Sequence, residues 1–389
     1  MVPKGVKEHR LIALAAGGTG GHLFPAQALA EELQRRNYEV HLLTDSRVRN
    51  HGAKFPAAHV YDIPSATLTV SEPLKLPGRL LRLLRGYGIA KTILMQLQPR
   101  AVIGFGGYPS FPPLAAAARL RMPTILHEQN AVIGRANRVL AKRATLIASS
   151  FPTIANLPPS LSSKIELTGN PVRSAVMKLA RTPYDKPTAD KVFRLLVFGG
   201  SQGARFFSDI MPPAVAELPG PLRRKIKITQ QCRSEDIKAV KAKYEELGIE
   251  YDVQEFFSDL PRRMAAAHLV LCRSGASTIA ELGVIGRPAL LVPLPHAVDN
   301  DQQRNAESYA ASGGGWLLRQ DEITPEMLAA VLTRLRYQDA ELAEAARAGL
   351  GHGRPDAAER LADVVERLAA APARISRVEK GGLEHEVTS

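Results

Sequence analysis

Cysteine is nearly absent. The 389-residue chain has two, Cys232 and Cys272, forty positions apart. That spacing is no metal-binding pattern, and one pair is no disulfide framework, which suits a reducing compartment. Long apolar runs are missing too. The apolar run at 11–16, after the charged opening MVPKGVKEHR, is too short for a signal-peptide core and leads into glycines, so it reads as a buried strand. The longest uncharged stretch, 101–118, contains Gly104, Gly106, Gly107, Pro109, Pro112 and Pro113, which exclude one continuous spanning helix. The expectation is a soluble, cytoplasmic protein. Negative charge is also short: 38 Asp and Glu stand against 51 Lys and Arg, a formal net charge of +13. Such a balance favours an acidic partner, whether nucleic acid, an anionic membrane face or a phosphorylated ligand, although a solvated basic surface would give the same count.

What is present is one device used twice. A single core rarely grows past about 250–300 residues, so a chain of this length favours two domains. An apolar strand at 11–16 runs into Gly17-Gly18-Thr19-Gly20-Gly21-His22 and then a helical run at 25–36. A second apolar strand at 195–198 runs into Gly199-Gly200-Ser201-Gln202-Gly203-Ala204 and another helix. Each is the strand–glycine loop–helix opening of a nucleotide-binding α/β half. Further buried-type runs at 40–44, 101–103, 124–126 and 145–148, then at 225–229, 269–272 and 289–292, alternate with helical stretches. The pattern predicts an α/β fold of two Rossmann-like parallel-sheet domains facing a cleft. The domains are expected at 1–168 and 169–354, divided near Gly169-Asn170-Pro171. Leu361, Val364, Val365 and Leu368 recur at helical spacing, with Pro355 and Asp356 suited to the first turn, so a helix is expected over 355–370. The polar tail 371–389 is expected to be disordered.

The loops after the strands carry the candidate chemistry. Four glycines in the five positions 17–21 let backbone approach a phosphate, and the following helix offers free N–H groups. The loop is no dinucleotide fingerprint: counted from Gly18, the last glycine of G-x-G-x-x-G falls on Leu23. Asp45 does close the next strand, where a ribose-binding acid sits in dinucleotide folds, so a nicotinamide-dependent oxidoreductase is weakened but stays open. His22 is a candidate general base, against the plainer reading of a loop histidine bonded to backbone. His127-Glu128-Gln129-Asn130 follows a strand and offers donors and acceptors to sugar hydroxyls, unless it is a solvated turn. In Cys272-Arg273-Ser274-Gly275-Ala276-Ser277-Thr278, small residues would admit a phosphate to a helix start, and Glu281 could grip a diol or merely favour the helix dipole. Asp299 and Asp301 match the bare D-x-D of metal-dependent sugar transferases, a weak signal, since Asp301 serves equally as a helix cap. At 74–91, Leu76, Leu80, Leu81, Leu83 and Leu84 fall on one arc and Arg79, Arg82 and Arg85 on the other. This suits an anionic membrane surface or, more plainly, a helix packed on the core.

Taken together, the loops resemble the MurG family of N-acetylglucosaminyl transferases. The matching pieces are GGTGGH at 17–22, GFGGYPS at 104–110, HEQN at 127–130, GNPVR at 169–173, GGSQGA at 199–204, CRSGASTIAE at 272–281 and Gln302-Gln303. They occur in the family's order across about residues 11–310. The resemblance implies a GT-B glycosyltransferase fold whose last helix returns to the first domain. It implies inverting transfer of N-acetylglucosamine from UDP-GlcNAc to the C4 hydroxyl of undecaprenyl-diphosphate-MurNAc-pentapeptide (lipid I), giving lipid II for peptidoglycan. It implies no tightly bound metal or other cofactor, with divalent-cation stimulation allowed, and no nucleic-acid partner. The implied partners are UDP-GlcNAc, lipid I, an anionic membrane surface and other cell-wall synthesis proteins, at the cytoplasmic face of the bacterial inner membrane as a peripheral protein.

Residue roles follow from the same resemblance. His22 would be the base. Thr19, Gly20, Gly21, Asn130, Arg173, Ser201, Phe257, Ala276, Ser277, Thr278, Glu281, Gln302 and Gln303 would bind the donor. Within that set, Arg173 and Ser201 would lie near the phosphates, Phe257 beside the uracil, and Glu281 on the ribose. Gly18, Gly106, Gly107, Tyr108, His127 and Glu128 would meet the acceptor and its diphosphate. Leu80, Arg82, Leu83, Leu84 and Arg85 would meet the membrane. The loop PLPHAVDNDQ at 293–302 is about one residue longer than the common form, so which glutamine meets which hydroxyl stays open. A UDP-N-acetylglucosamine 2-epimerase shares the implied architecture and is the nearest rival. A non-catalytic, charge-driven binder would not need the ordered glycine loops.

Overall fold

The computed structural model describes residues 10–18, 20–46, 55–67, 72–180, 182–188, 190–200, 205–295 and 297–370. Thr19, Ser201 and the tail 371–389, all assigned from sequence, lie outside the described residues.

The first half contains β1 (Leu11–Ala15), α1 (Gly20–Arg35), β2 (Glu39–Thr44), β3 (His59–Asp62), α2 (Leu76–Leu97), β4 (Ala101–Gly104), α3 (Gly107–Arg119), β5 (Thr124–Glu128), α4 (Arg135–Leu140), β6 (Leu146–Ser149) and β7 (Ile165–Leu167). The second contains α5 (Ser174–Met177), β8 (Phe193–Phe198), α6 (Arg205–Ala216), α7 (Gly220–Arg223), β9 (Ile226–Gln231), α8 (Ile237–Glu246), β10 (Glu250–Gln254), α9 (Leu260–Ala266), β11 (Leu269–Cys272), α10 (Ala276–Ile285), β12 (Ala289–Leu291), α11 (Asp301–Ala311), β13 (Gly315–Leu317), α12 (Pro325–Tyr337), α13 (Asp339–His352) and α14 (Ala357–Ala370).

Two parallel sheets result, in the orders β3-β2-β1-β4-β5-β6-β7 and β10-β9-β8-β11-β12-β13. In each, the opening strand lies inside the sheet and the order reverses beside it, at β1/β4 and at β8/β11. The gap between the loops leaving such a strand pair is where an open α/β sheet receives its ligand. The nine internal strands match the apolar runs read from the sequence. The four that the sequence did not disclose, β3, β7, β10 and β13, are the four edge strands. Residues of β3, β7 and β10 are mostly exposed or half-buried, so no continuous apolar run marks them.

α1 starts at Gly20, earlier than the expected 25, because the glycine loop itself winds into the first turn. α14 starts at Ala357, just after Pro355 and Asp356, and the Asp356 carboxylate accepts from Arg360 Nε at 2.6 Å. Its face Leu361, Ala362, Val364, Val365 and Ala369 enters the core of the first sheet, beside Ile12, Leu14, Leu29 and Leu33. Arg36, just after α1, clasps it by donating to Asp363 at 2.6 Å and to Glu366 at 2.7 Å.

α2 departs from the plainer reading, in which the leucine arc packs on the core. Its buried line is Leu83, Gly86, Ala90 and Leu94, not the leucine arc. A Cβ on Gly86 would lie 2.0 Å from the Pro64 carbonyl oxygen, so the helix seats its glycine against the 63–64 backbone. That rotation turns Leu80 (52% exposed), Leu81 (68%) and Leu84 (58%) to solvent, while Leu83 is 7% exposed. Leu83 is therefore a core residue, which corrects its assignment to a membrane surface. Arg79 pairs with Glu72; Arg82 and Arg85 are exposed.

The packing sets a contrast. Leu361→Ala should lower unfolding stability by about 2–5 kcal/mol, because the cavity opens in a filled core. Leu81→Ala should change it by less than about 0.5 kcal/mol. Urea unfolding of the two variants measures both.

Candidate active site

Three helix starts meet at the reversal points of the sheets. β1 leads through Gly17-Gly18 to α1, β4 through Phe105-Gly106 to α3, and β11 through Arg273-Ser274-Gly275 to α10. The N-caps of α3 and α10 are Gly106 and Gly275, and neither start has a side-chain cap. Their first N–H groups, including those of Ala276, Ser277 and Thr278, are left for an anion, which the helix dipole also favours. Gly106 and Gly107 have φ of +81° and +71°. A Cβ on Gly107 would lie 3.2 Å from His22 Cδ2. Only glycine allows this backbone to turn beneath the imidazole. Tyr108 follows on α3, partly buried.

α1 and α10 touch across the domains. Pro25, inside α1, has no N–H to give the Gly21 carbonyl four residues back. That carbonyl accepts instead from Ser277 Oγ at 3.3 Å. Nearby, Arg173 donates from Nε and Nη2 to the two Glu281 carboxylate oxygens, at 2.9 and 3.0 Å, a forked pair. Its guanidinium carbon lies 4.5 Å from the Phe24 ring centroid. Burial raises the Glu281 carboxyl above its ordinary range, against the opposing pull of Arg173. Both oxygens expected to hold a ribose are thus engaged by the residue expected to hold the phosphates.

His22 lies partly buried on the first turn of α1. Its Nδ1 is 3.1 Å from Gln129 Oε1. Gln129 Nε2 is 2.9 Å from His127 Nδ1, and His127 Nε2 is 3.1 Å from the Gly169 carbonyl oxygen. Burial lowers the His22 pKa, opposed by the bonds to Gln129 and to the Phe105 backbone. Burial takes His127 down to about 4, opposed by the Gly169 bond. Glu128 accepts from the backbone N–H of Asn130 at 3.1 Å and of Gly134 at 2.9 Å, and from Asn137 Nδ2 at 2.9 Å. Burial nonetheless raises its pKa. His127 and Glu128 are 0% and 2% exposed, with their polar atoms spent inside the protein. The expectation that they meet the acceptor diphosphate is corrected: they hold the 127–137 loop in shape.

Asn305, which the sequence reading passed over, joins the domains. It is fully buried. Its Oδ1 accepts from the Ala131 N–H at 2.9 Å, and its Nδ2 donates to Asn130 Oδ1 at 3.0 Å and to the Ser274 carbonyl at 3.1 Å. The available signal was an asparagine beside Ala306 and one turn before Tyr309 on the buried stripe of α11, where an apolar residue would normally sit.

The remaining expected residues are spread around this centre. Gln302 Oε1 accepts from the Leu294 N–H at 3.0 Å, and Gln303 Nε2 donates to Glu307 at 3.0 Å. Asp299 faces Arg138 and Arg135 of the first domain, at 3.4 and 3.6 Å. Asp301 accepts from the Gln302 N–H at 2.8 Å. The two carboxylates of the D-x-D pattern thus serve different partners. Phe257 is buried, with the Arg263 guanidinium 4.2 Å from its ring centroid, so a base stacking there meets that cation too.

Two outcomes follow. Asn305→Ala leaves buried groups of both domains unpaired, and unfolding stability should drop by about 1–3 kcal/mol; denaturant titration checks this. His127 and His268 are both held down to about 4 by burial, so the unfolded chain binds more protons than the folded one between there and the ordinary histidine value. Their stabilising contribution is complete above about pH 6.5 and lost as pH falls toward 4. Thermal unfolding across that window should show a falling midpoint with acidification.

The chain is matched by the model of the glycosyltransferase family 28 N-terminal domain over residues 12–149, and by that of the family 28 C-terminal domain over 194–361. It is 52% identical to a UDP-N-acetylglucosamine–N-acetylmuramyl-(pentapeptide) pyrophosphoryl-undecaprenol N-acetylglucosamine transferase of Mesorhizobium japonicum, over 92% of this chain and 95% of the relative. The crystal structure of Acinetobacter baumannii MurG superposes with a TM-score of 0.74 at 31% identity, covering 92% of this chain and all but 1% of the other. A UDP-GlcNAc 2-epimerase from Neisseria meningitidis, at 14% identity and TM-score 0.61 over 92% of this chain and 100% of its own, shares the fold alone.

Proposed function

This chain belongs to glycosyltransferase family 28, and from that premise we propose that it moves N-acetylglucosamine from UDP-GlcNAc to lipid I, forming lipid II for peptidoglycan. It is a UDP-sugar-dependent glycosyltransferase. The observation that carries the reading is the meeting of three helix starts, α1, α3 and α10, around His22. A diphosphate needs donors and a positive potential without bulk, and helix starts behind glycine loops supply both.

In the proposed reaction the C4 hydroxyl of the muramyl sugar attacks the anomeric carbon of GlcNAc. The bond from that carbon to the diphosphate oxygen breaks, UDP leaves with the electron pair, and configuration inverts. His22 takes the hydroxyl proton, with a lowered pKa that keeps it unprotonated at neutral pH. Ala276, Ser277 and Thr278 lie along the leaving diphosphate. Ribose binding at Glu281 parts the pair with Arg173, and the freed guanidinium turns to the phosphates. Gln302 and Gln303 serve the sugar hydroxyls, with Asn130 from the opposite domain. Gly18, Gly20, Gly21, Gly106 and Gly107 line the approach of the acceptor diphosphate, beside Tyr108.

The acceptor's polyprenyl chain stays in the bilayer, so the enzyme works at its surface, as a peripheral protein on the cytoplasmic face. Among the described residues no helix is long and apolar enough to cross a membrane. Leu80, Leu81 and Leu84 point outward from α2, with Leu74 beside them and Arg82 and Arg85 exposed at their rim. Such a patch fits acyl chains below and anionic headgroups around it.

Radiolabelled UDP-GlcNAc with a lipid I analogue should yield label in the organic extract. The donor alone should not isomerise to the manno form, and such an isomer would favour an epimerase. His22→Ala should lower kcat by roughly 10²–10⁴-fold, and unchanged turnover at saturating substrates removes His22 as the base. Replacing Leu81 and Leu84 by Glu should abolish sedimentation with anionic vesicles, and retained binding removes α2 from the membrane contact.

A further inference from the structure

The row of hydrogen bonds that ends at His22 has a single direction, and its origin is a backbone carbonyl. The Gly169 oxygen can only accept, and Thr168 Oγ1 already donates to it at 3.1 Å. His127 Nε2, 3.1 Å from the same oxygen, must carry a hydrogen. His127 is buried and neutral, and a neutral imidazole has one N–H, so its Nδ1 holds a lone pair. The Gln129 carboxamide faces that lone pair at 2.9 Å and must present Nε2–H. The second hydrogen of the same nitrogen is met by the His127 carbonyl at 3.2 Å, another pure acceptor. The amide orientation is thereby set twice, by chemistry rather than by the resemblance of its oxygen and nitrogen. Gln129 Oε1 is left facing His22 Nδ1 at 3.1 Å. An amide oxygen can only accept.

We infer that Gln129 and His127 are positioning residues that hold His22 in its Nδ1–H tautomer, so that its free lone pair lies on Nε2. The Nε2 edge is the one beside Gly107, whose Cβ, if it had one, would lie 3.3 Å away. The base thus faces the start of α3, where the acceptor is proposed to enter. Reversing any member opposes two lone pairs, or two N–H groups, in a row whose inner members, Gln129 and His127, are buried. Glu128, the carboxylate between these residues in sequence, accepts from Asn130, Gly134 and Asn137, away from the row. The Phe105 backbone also meets the His22 ring. The catalytic consequence rests on the proposed role of His22 as base; the tautomer itself does not.

The full chain, labelled with ¹⁵N-histidine, allows the two to be separated. A long-range proton–nitrogen correlation at mildly alkaline pH reports which nitrogen of each histidine is protonated, and His22→Gln assigns the His22 signals by their loss. The wild type should show His22 as Nδ1–H and His127 as Nε2–H. Gln129→Met removes both amide functions at similar size, and His22 should pass largely to Nε2–H. kcat should then fall by roughly 10–10²-fold with KM for UDP-GlcNAc unchanged. Gln129→Glu keeps an acceptor toward His22 and should retain its Nδ1–H while disturbing His127. A wild-type His22 found as Nε2–H, or as a mixture, overturns the inference whatever the variants do. A tautomer that moves in Gln129→Met without any change in kcat leaves the inference standing and removes His22 as the base.

Discussion

The structure depends on the contact between the first turn of α1 and the first turn of α10. Two sheets that fold as separate cores have no reason to present their ligand-facing loops to each other unless something sets their relative position. Here Pro25 withholds a helical hydrogen bond, and Ser277 of the other domain takes up the vacant Gly21 carbonyl. Phe24, the preceding residue, lies under Arg173, which is forked onto Glu281 of α10. The same few residues therefore bring the domains together and bring two helix starts to one point. A group of small residues that looks like a phosphate loop in each half is brought into one site by this contact, together with the Asn305 bonds across the domains.

Around it, polar groups are buried in a graded way. Glu128 and His127 are deep, fully bonded and without free atoms for a ligand. Asn305 lies between the domains and satisfies backbone from both. His22 and the helix starts stand at the opening. Burying such groups costs several kcal/mol each when they lack partners, so the bonds made by His127, Glu128 and Asn305 help fix the loops 127–137 and 273–276. Cys232 and Cys272 are both free and buried, and burial raises both thiols above their ordinary range, so they act as small apolar residues of the second domain.

Much of the fold was legible in the residues. Most internal strands carry a continuous apolar run because they are covered on both faces; β9 alternates instead, with Lys227, Thr229 and Gln231 half-exposed. The edge strands are half-wet and lack that mark. The glycine loops were legible because their job is local: a turn with positive φ and no side chain in the way. The amphipathic leucines of α2 were legible as a pattern, but not in their direction. Gly86, which seats on the Pro64 carbonyl, decides which arc faces inward, and nothing within the helix announces that partner.

Composition, the internal strands, the glycine loops and the class of ligand they invite follow from residues within a few positions of one another. Periodicity and backbone conformation are short-range properties, and the sequence by itself determined them. The proton on His22, the partner of Glu281 and the role of Asn305 were decided by tertiary structure alone. These bonds join residues 107, 108 and 175 positions apart. Whether two polar groups so distant meet depends on how two sheets pack and where the chain crosses between them, and no local pattern of residues carries that distance.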